Sequence, residues 1–200
     1  ALGRGGFGEV YYAVSDAGRQ VALKAIRHHE DVELRGLTHC MNLKSPHLVM
    51  IFDIHRDDSG DPWVIMEYVD GPSLRDLLEQ AAESDAGPGL GEQKAAFLIR
   101  EIARGLTELH EAGIVHRDLK PENIFVEHGV VKIGDYSLSK SMLLSERSRH
   151  TATVGSVHYM APEISEGLYD TSVDIYSLCV ILLEVLTGRA PYRVESVCDV

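Results

Sequence analysis

The chain has 200 residues, of which 44% are hydrophobic, and it carries a formal net charge of −12 at pH 7. This length is sufficient for one sizeable core or for two small lobes that share a cleft. The negative charge argues against a nucleic-acid or anionic-membrane surface, because phosphate groups would be repelled overall. An acidic surface could steer basic peptides toward the protein, but it is equally an ordinary means of staying soluble.

Three cysteines, Cys40, Cys179 and Cys198, are widely spaced and lack the Cys-x-x-Cys pattern of a metal or redox site. We interpret them as buried or incidental thiols in a reducing compartment and expect a cytoplasmic location. The sequence contains no apolar run of about 18 residues, so we expect neither a membrane span nor a signal peptide within it. A membrane anchor elsewhere in a longer parent protein is left open.

The first third of the sequence predicts a small lobe that consists mostly of antiparallel strands. Short apolar runs alternate there with glycine-rich or polar turns. A helical pattern interrupts them from about residue 30 to residue 43. The predicted strands are 2–14, which folds back at its glycines, 21–24, 48–54 and 63–68.

The remainder predicts a mostly helical lobe. Apolar residues at helical spacing from 95 to 111 predict a helix that ends at Gly113, and the apolar stretch 178–186 predicts a core helix. The segment 79–93 is rich in alanine, glycine and acidic residues and is expected to form a flexible surface loop. We therefore expect an α+β fold. Its two predicted lobes span residues 1–69 and 70–200.

The run His-Arg-Asp-Leu-Lys-Pro-Glu-Asn at 116–123, with Asp135 twelve residues past Asn123, carries the strongest functional signal. It places an acid, a lysine, an amide and a second acid at the spacing of a phosphoryl-transfer site. A polar run can be a solvated loop, but a motif of this length rarely arises outside its structural context. The run resembles the catalytic loop of the protein kinase family. The resemblance implies that Asp118 accepts the proton of a substrate hydroxyl, that Lys120 steadies the transferring phosphoryl group, and that Asn123 and Asp135 bind Mg²⁺.

The glycine-rich segment 3–10 has the spacing Gly-x-Gly-x-x-Gly-x-Val. Glycines allow a hairpin to lie close over phosphates, and its exposed N–H groups bind the anion. A dinucleotide-binding fold would need a helix directly after the glycines, whereas the strand pattern 11–14 follows here, as in kinases. By resemblance, the residues of this segment that bind ATP are Leu2, Gly3, Gly5, Gly6, Phe7, Gly8 and Val10.

Lys24 ends the strand Val-Ala-Leu-Lys and resembles the family's lysine that binds the α- and β-phosphates. A surface lysine at a strand end is the alternative. The family pairs this lysine with a glutamate on the next helix, for which Glu30 and Glu33 are candidates and Asp31 is shorter. We choose Glu33, because Leu37 follows it at one-turn spacing, although its separation from Lys24 is shorter than usual in the family.

The segment 66–69, Met-Glu-Tyr-Val, resembles the hinge that binds adenine through backbone groups of Glu67 and Val69, with Met66 at the back of the pocket. A plain edge strand would have the same pattern. By the same resemblance, the residues that enclose the adenine are Val10, Ala22 and Phe125. Each of these could equally be an ordinary core residue.

Asp135-Tyr136-Ser137 departs from the family's Asp-Phe-Gly. Asp135 keeps the metal ligand. Tyr136 keeps an aromatic ring but adds a hydroxyl that needs a partner if it is buried. Ser137 replaces a glycine whose conformational freedom helps the loop to switch between states.

Ala-Pro-Glu at 161–163 resembles the end of the family's activation segment. Thr151 and Thr153 stand where a phosphate usually lands in the family, and Arg117 and Lys140 could receive it. An ordinary hydroxyl-rich loop is the alternative.

Lys120 and Ser156 resemble the serine/threonine branch of the family, and Asp174 resembles its buried aspartate that anchors the catalytic-loop backbone. The resemblance implies a protein serine/threonine kinase of bacterial type that transfers the γ-phosphoryl group of ATP, with Mg²⁺, to protein hydroxyls. It also leads us to expect a fragment without the start of the first strand and without the last helices of the large lobe.

Two alternatives remain at this point. A pseudokinase that binds nucleotide and signals by conformation is supported by Tyr136-Ser137 and by the irregular glutamate spacing. The residues that argue against it are Lys24, Asp118, Asn123 and Asp135. A small-molecule phosphotransferase would share the aspartates, but the segment 161–163 argues for a protein substrate.

Overall fold

Five antiparallel strands form the N-terminal sheet, in the order β1-β2-β3-β5-β4. We describe a computed structural model of residues 2–5, 8–26, 37, 40–84, 87–136, 140–141, 157–166 and 170–191. The strands of this sheet are β1 Gly3–Gly5, β2 Gly8–Val14, β3 Gln20–Ala25, β4 Ile51–Arg56 and β5 Pro62–Glu67. The predicted small β lobe is therefore observed.

β3 lies at the centre of this sheet and carries Lys24. Lys24 is opposite Val10 of β2 and Val64 of β5, so neighbouring strands fix its backbone on both sides. Alternate residues of a strand face opposite sides of a sheet, but β3 is buried along most of its length. The lysine is consequently held inside the lobe, at 4% exposure, instead of on its surface.

The apolar run predicted as the strand 48–54 begins its sheet pairing only at Ile51. Leu48 instead forms an isolated parallel bridge to Ile133, and the Val49 N–H donates to the Ile133 carbonyl at 2.9 Å. The start of the run is apolar because it packs against the other lobe, not because it belongs to the sheet. The predicted helix at 30–43 lies mostly outside the described residues, although Leu37 and Cys40 are helical and buried.

The C-terminal lobe contains three helices: α1 Leu74–Ala82, α2 Glu92–Glu111 and α3 Ser172–Thr187. Ser73 caps α1, since its hydroxyl accepts the Asp76 N–H while the Asp76 carboxylate accepts the Ser73 N–H. The predicted helix at 95–111 and the predicted core helix at 178–186 are confirmed as parts of α2 and α3. Gly113, at φ 73°, follows α2 as predicted.

Short strands and 3₁₀ turns lie between the helices of this lobe. The strands are β6 Ile114–Val115, β7 Ile124–Glu127, β8 Val130–Ile133 and β9 Lys140–Ser141, and β7 pairs with β8 as a hairpin. Among the described residues, 3₁₀ turns span Pro121–Asn123, Val157–Tyr159 and Pro162–Glu166. Among the described residues, no helix is long and apolar enough to cross a membrane.

The prediction of a flexible loop at 79–93 is wrong at both ends of that segment and at Gly89–Leu90. α1 continues to Ala82, α2 begins at Glu92, and the Leu90 N–H donates to the Val185 carbonyl of α3 at 2.8 Å. A Cβ on Gly89 would lie 2.5 Å from the Leu186 carbonyl oxygen. The glycine therefore permits a close backbone contact, and its presence does not signal flexibility.

Gly105 marks another close approach, where α2 meets the segment before β4. An added Cβ would lie 2.9 Å from the His47 carbonyl oxygen and 2.9 Å from Cδ1 of Ile133. Both neighbours are themselves held in place, because the Ile133 N–H donates to that same His47 carbonyl at 2.8 Å.

We predict that Gly105→Ala lowers the free energy of unfolding by about 1–3 kcal/mol through this overpacking, although alanine is favoured over glycine in a helix by about 1 kcal/mol. Ala96→Gly, at an exposed position of the same helix, measures the difference in helix propensity between alanine and glycine alone. Urea unfolding of both variants decides between the two effects. Stabilisation by Gly105→Ala would show that α2 does not press against the 45–50 segment.

Candidate active site

The carboxylate of Asp174, in the first turn of α3, accepts hydrogen bonds from the backbone of the loop that follows β6. It is fully buried, and its two oxygens accept the N–H groups of His116 and Arg117, each at 2.8 Å. Nε2 of His110, at the end of α2, lies 2.7 Å from the same carboxylate. Arg117 adopts a φ of 68°, which is uncommon for a residue other than glycine. These bonds hold the loop in that conformation.

Burial by itself would raise the pKa of the Asp174 carboxyl. The hydrogen bond from His110, the nearby His116 and the two backbone N–H groups outweigh this effect, and the pKa lies below its ordinary value. The group is therefore a carboxylate at neutral pH. It is stabilised by donors that come from α2 and from the catalytic loop.

The next residues of the loop bring an acid, a base and an amide into contact. Nζ of Lys120 lies 2.6 Å from Oδ2 of Asp118. The side-chain amide of Asn123 donates to the backbone carbonyl of Asp118 at 2.8 Å. Pro121 begins the 3₁₀ turn that returns Asn123 to Asp118, and its fixed φ suits that first position. The structure thus brings together Asp118, Lys120 and Asn123 as the sequence predicts.

His116 connects this loop to the segment that carries Asp135. Its ring is fully buried; Nδ1 accepts the Asp118 N–H at 3.3 Å, so Nε2 carries the proton and donates to the Gly134 carbonyl at 3.1 Å. The Gly134 N–H in turn donates to the Asn123 carbonyl at 2.8 Å. Two hydrogen bonds therefore fix the residue before Asp135 against the catalytic loop.

Asp135 faces the N-terminal lobe and meets the lysine of β3. Oδ1 of Asp135 lies 2.5 Å from Nζ of Lys24, and Asp135 adopts a φ of 54°. A buried ammonium group is stable only when it is paired and hydrogen-bonded. The contact joins the two lobes directly through the two residues to which the sequence assigns phosphate and metal binding.

The side chains of Asn123 and Asp135 fit a divalent cation that prefers oxygen ligands. The amide nitrogen of Asn123 is used in its bond to Asp118, which leaves the amide oxygen as the acceptor of that side chain. A carboxylate and an amide oxygen, completed by phosphate and water, are the ligands that Mg²⁺ prefers.

The predicted hinge residue Glu67 ends β5 and is engaged within the protein. Its N–H donates to the Met50 carbonyl at 2.8 Å, and its carboxylate accepts the Met50 N–H at 3.1 Å and pairs with Lys132 of β8. Only the Glu67 carbonyl oxygen could therefore contact adenine. Met66 lines a small cavity together with Lys24 and Asp135, consistent with the back of a nucleotide pocket.

The remaining predicted nucleotide contacts lie on or next to β1, β2, β3, β5 and β7. Gly3 and Gly8 are opposite Val10 and Gly5 in the β1–β2 hairpin, and the Leu2 N–H donates to the Val10 carbonyl at 2.7 Å. Ala22 is buried beside Met66 of β5, while Phe125 is half-buried on β7. Val69 follows β5 and is half-buried. The predicted site residues that lie outside the described residues are Gly6, Phe7, Glu33, Thr151 and Thr153, together with the side chain of Lys140.

Tyr136 has the buried hydroxyl whose partner the sequence left open. The residue is 2% exposed, and its hydroxyl donates to the carbonyl oxygen of Val49. The hydroxyl by which this tyrosine differs from the phenylalanine of Asp-Phe-Gly thus has a hydrogen-bond partner inside the core.

Sequence reasoning missed a charged cluster beneath the catalytic loop. Arg75 of α1 donates to Glu122 at 3.0 Å, to Glu184 of α3 at 2.9 Å and to the Tyr159 hydroxyl at 2.6 Å. Tyr159 also donates to Glu184 at 2.6 Å. The one signal in the sequence is Glu184 itself, a carboxylate within an apolar helix, which needs a partner when buried.

The comparisons with known proteins agree with this geometry. The chain matches the protein kinase domain family across residues 1–199, and it belongs to that family. Protein kinases are phosphotransferases that in general use ATP and Mg²⁺.

Individual relatives are named serine/threonine-protein kinases. The chain is 34% identical, over 98% of its length, to a probable serine/threonine-protein kinase of Clostridium perfringens, of which the match covers 29%. It is 32% identical, over its full length, to the serine/threonine-protein kinase PrkC of Bacillus subtilis, of which 31% is covered. It is 35% identical, over 90% of its length, to a serine/threonine-protein kinase of Saccharomyces cerevisiae, of which 28% is covered. The chain thus spans just under a third of these relatives, and their names favour a serine/threonine kinase over a pseudokinase.

We predict that Asp174→Asn lowers the free energy of unfolding by about 3 kcal/mol at neutral pH, because an amide cannot accept both N–H bonds. Since the folded-state pKa is lowered, the carboxylate's contribution is complete above the ordinary value of 3.8 and is lost as the pH falls through the lowered pKa. The difference between wild type and variant should therefore shrink in acid. Denaturant unfolding from pH 7 to pH 3 measures it.

Asp170→Asn is the matched control, because Asp170 is exposed and its carboxylate accepts local hydrogen bonds from Ser172, including the Ser172 N–H at 2.8 Å. We expect a much smaller change from this variant. A difference between wild type and Asp174→Asn that stayed constant over the whole pH range would contradict the role given to the carboxylate.

Proposed function

We propose that this chain is the catalytic region of a serine/threonine protein kinase of bacterial type, which transfers the γ-phosphoryl group of ATP to serine or threonine hydroxyls of proteins. The observation that carries the proposal is the contact of Lys24 with Asp135 across the lobes, above a catalytic loop in which Asp118, Lys120 and Asn123 touch one another. Phosphoryl transfer depends mainly on positioning and on charge stabilisation.

Asp118 is the residue that accepts the proton of the substrate hydroxyl. Its side chain is 12% exposed, and the hydrogen bonds described above fix its backbone at both ends of the loop. Lys120 is held beside the carboxylate and places a positive charge where the phosphoryl group passes.

Asn123 and Asp135 would hold Mg²⁺, and Lys24 would bind the phosphates. When bound, Mg²⁺ neutralises the negative charge of the phosphate oxygens. The glycine-rich hairpin would cover the phosphates, Glu67 and Val69 would bind adenine through backbone groups, and the assignment of Glu33 as the partner of Lys24 stays a prediction. The apolar enclosure of the adenine would come from Val10, Ala22 and Phe125.

The acceptor would be a protein, and the first acceptor would be this chain itself, at Thr151 or Thr153. The segment between Asp135 and the Ala-Pro-Glu at 161–163 carries these hydroxyls. A cytoplasmic location is supported by the free thiols of Cys40 and Cys179. The net charge of −12 supports a protein substrate over a nucleic acid.

We predict that Asp118→Asn lowers the rate of phosphoryl transfer by about 10²–10⁴-fold, because the amide cannot accept the hydroxyl proton. Mass spectrometry of the chain after incubation with ATP and Mg²⁺ locates and quantifies the phosphate. Asp58→Asn, in the exposed turn between β4 and β5, is the matched control and should transfer at the wild-type rate.

Equal transfer by wild type and Asp118→Asn would refute the role of Asp118. Nucleotide binding by the wild type with no transfer to any protein would instead favour a pseudokinase.

A further inference from the structure

The hydrogen bond of Tyr136 has a consequence for the residue before it. The ring lies in the main apolar core, and it lines the same cavity as Lys24, Met66 and Asp135. Burial raises the pKa of the phenol well above its ordinary value, so the hydroxyl stays protonated and remains a donor. Its acceptor, the carbonyl of Val49, belongs to the segment just before β4.

That acceptor is itself fixed to the strand that leads into Asp135. The Val49 N–H donates to the Ile133 carbonyl at 2.9 Å, and the Ile133 N–H donates to the His47 carbonyl at 2.8 Å. The backbone from Ile133 through Asp135 to Tyr136 and two hydrogen bonds therefore form a closed ring. The Tyr136 hydroxyl bonds to the Val49 carbonyl, and the Val49 N–H bonds back to Ile133.

Asp135 stands inside this ring with a φ of 54°. Aspartate enters this region more readily than most residues other than glycine, but the conformation is still uncommon, so hydrogen bonds on both sides of Asp135 help to hold it. Gly134 is already held by His116 and Asn123 on one side. The Tyr136 hydroxyl supplies the restraint on the other side, and a phenylalanine at this position has no group that could make this bond.

We propose that Tyr136 is a positioning residue: its hydroxyl, bound to the Val49 carbonyl, keeps the Asp135 carboxylate turned toward Lys24 and the catalytic loop. The role in metal binding rests on the proposed kinase function, whereas the restraint on Asp135 does not. This tether, the Tyr136–Val49 bond, distinguishes the chain from relatives of its family that have phenylalanine there.

Cys40 provides a direct test of the tether. Its thiol is 1% exposed and belongs to the same core cluster as Tyr136. Iodoacetamide can reach Cys40 only when this part of the core opens. Tyr136→Phe removes the hydroxyl alone, and losing one buried hydrogen bond should speed the labelling of Cys40 about tenfold. Peptide mass spectrometry measures the labelling rate.

Two controls separate local opening from global unfolding. Cys179 is exposed and should be labelled at one rate in every variant. Ile181→Val in α3 removes one methyl group from a fully buried side chain elsewhere in the core, and should leave Cys40 labelling unchanged. Cys40 labelling in Tyr136→Phe that is no faster than in wild type overturns the proposal, and so does equal acceleration by Ile181→Val.

Magnesium dependence tests the link to the function. With a non-hydrolysable ATP analogue, Tyr136→Phe should weaken Mg²⁺-dependent binding about tenfold and leave Mg²⁺-free binding unchanged, because fewer molecules hold Asp135 in place. Equal weakening with and without Mg²⁺ would overturn the role of the tether in metal binding. A wild-type chain with no Mg²⁺-dependent binding would refute the kinase function instead, and Cys40 labelling would still decide whether the tether exists.

Discussion

Two backbone N–H groups, those of His116 and Arg117, share one buried carboxylate at the start of α3, and His110 joins them from the end of α2. This arrangement connects the central helix of the large lobe to the loop that carries Asp118. The loop has no regular secondary structure of its own before the turn at Pro121–Asn123. Its backbone groups would otherwise need water or other partners. The uncommon φ of Arg117 and the placement of Asp118 both depend on this carboxylate.

A second set of contacts joins the large lobe to the small lobe. The segment 45–50 pairs with β8 through backbone hydrogen bonds, and Gly105 of α2 packs against it from the other side. Lys132 of β8 pairs with Glu67 at the end of β5, and Tyr136 bonds to Val49. Asp135 therefore receives its position from both lobes. The short distance between its carboxylate and Lys24 follows from this, because each partner is fixed on its own rigid element.

Much of this site could be predicted from the sequence. The run at 116–123 is a local pattern, and the structure brings its Asp118, Lys120 and Asn123 into contact. Lys24, at the end of a strand motif, meets Asp135. The strand at 48–54 was predicted too long, because an apolar run does not reveal which neighbour it packs against. The segment 79–93 was predicted as a loop for a related reason: one of its glycines, Gly89, serves a contact with α3, about 100 residues further along the chain.

The cluster of Arg75, Glu122, Tyr159 and Glu184 could not be predicted from any local pattern. Its members come from four separate elements, and only the fold shows that they meet. The partner of the Tyr136 hydroxyl is a backbone carbonyl, which no side-chain pattern can indicate. Long-range polar contacts of this kind depend on the tertiary structure, whereas periodicity and motifs report mainly on neighbours in sequence.

The most direct test of the account is amide hydrogen exchange at His116 and Arg117, followed by NMR. If Asp174 holds both N–H groups, they should exchange only through large-scale opening, as slowly as the core amides of α2 and α3. Exchange as fast as in an unstructured peptide would contradict the account, because the catalytic loop would then have no fixed backbone on which to position Asp118.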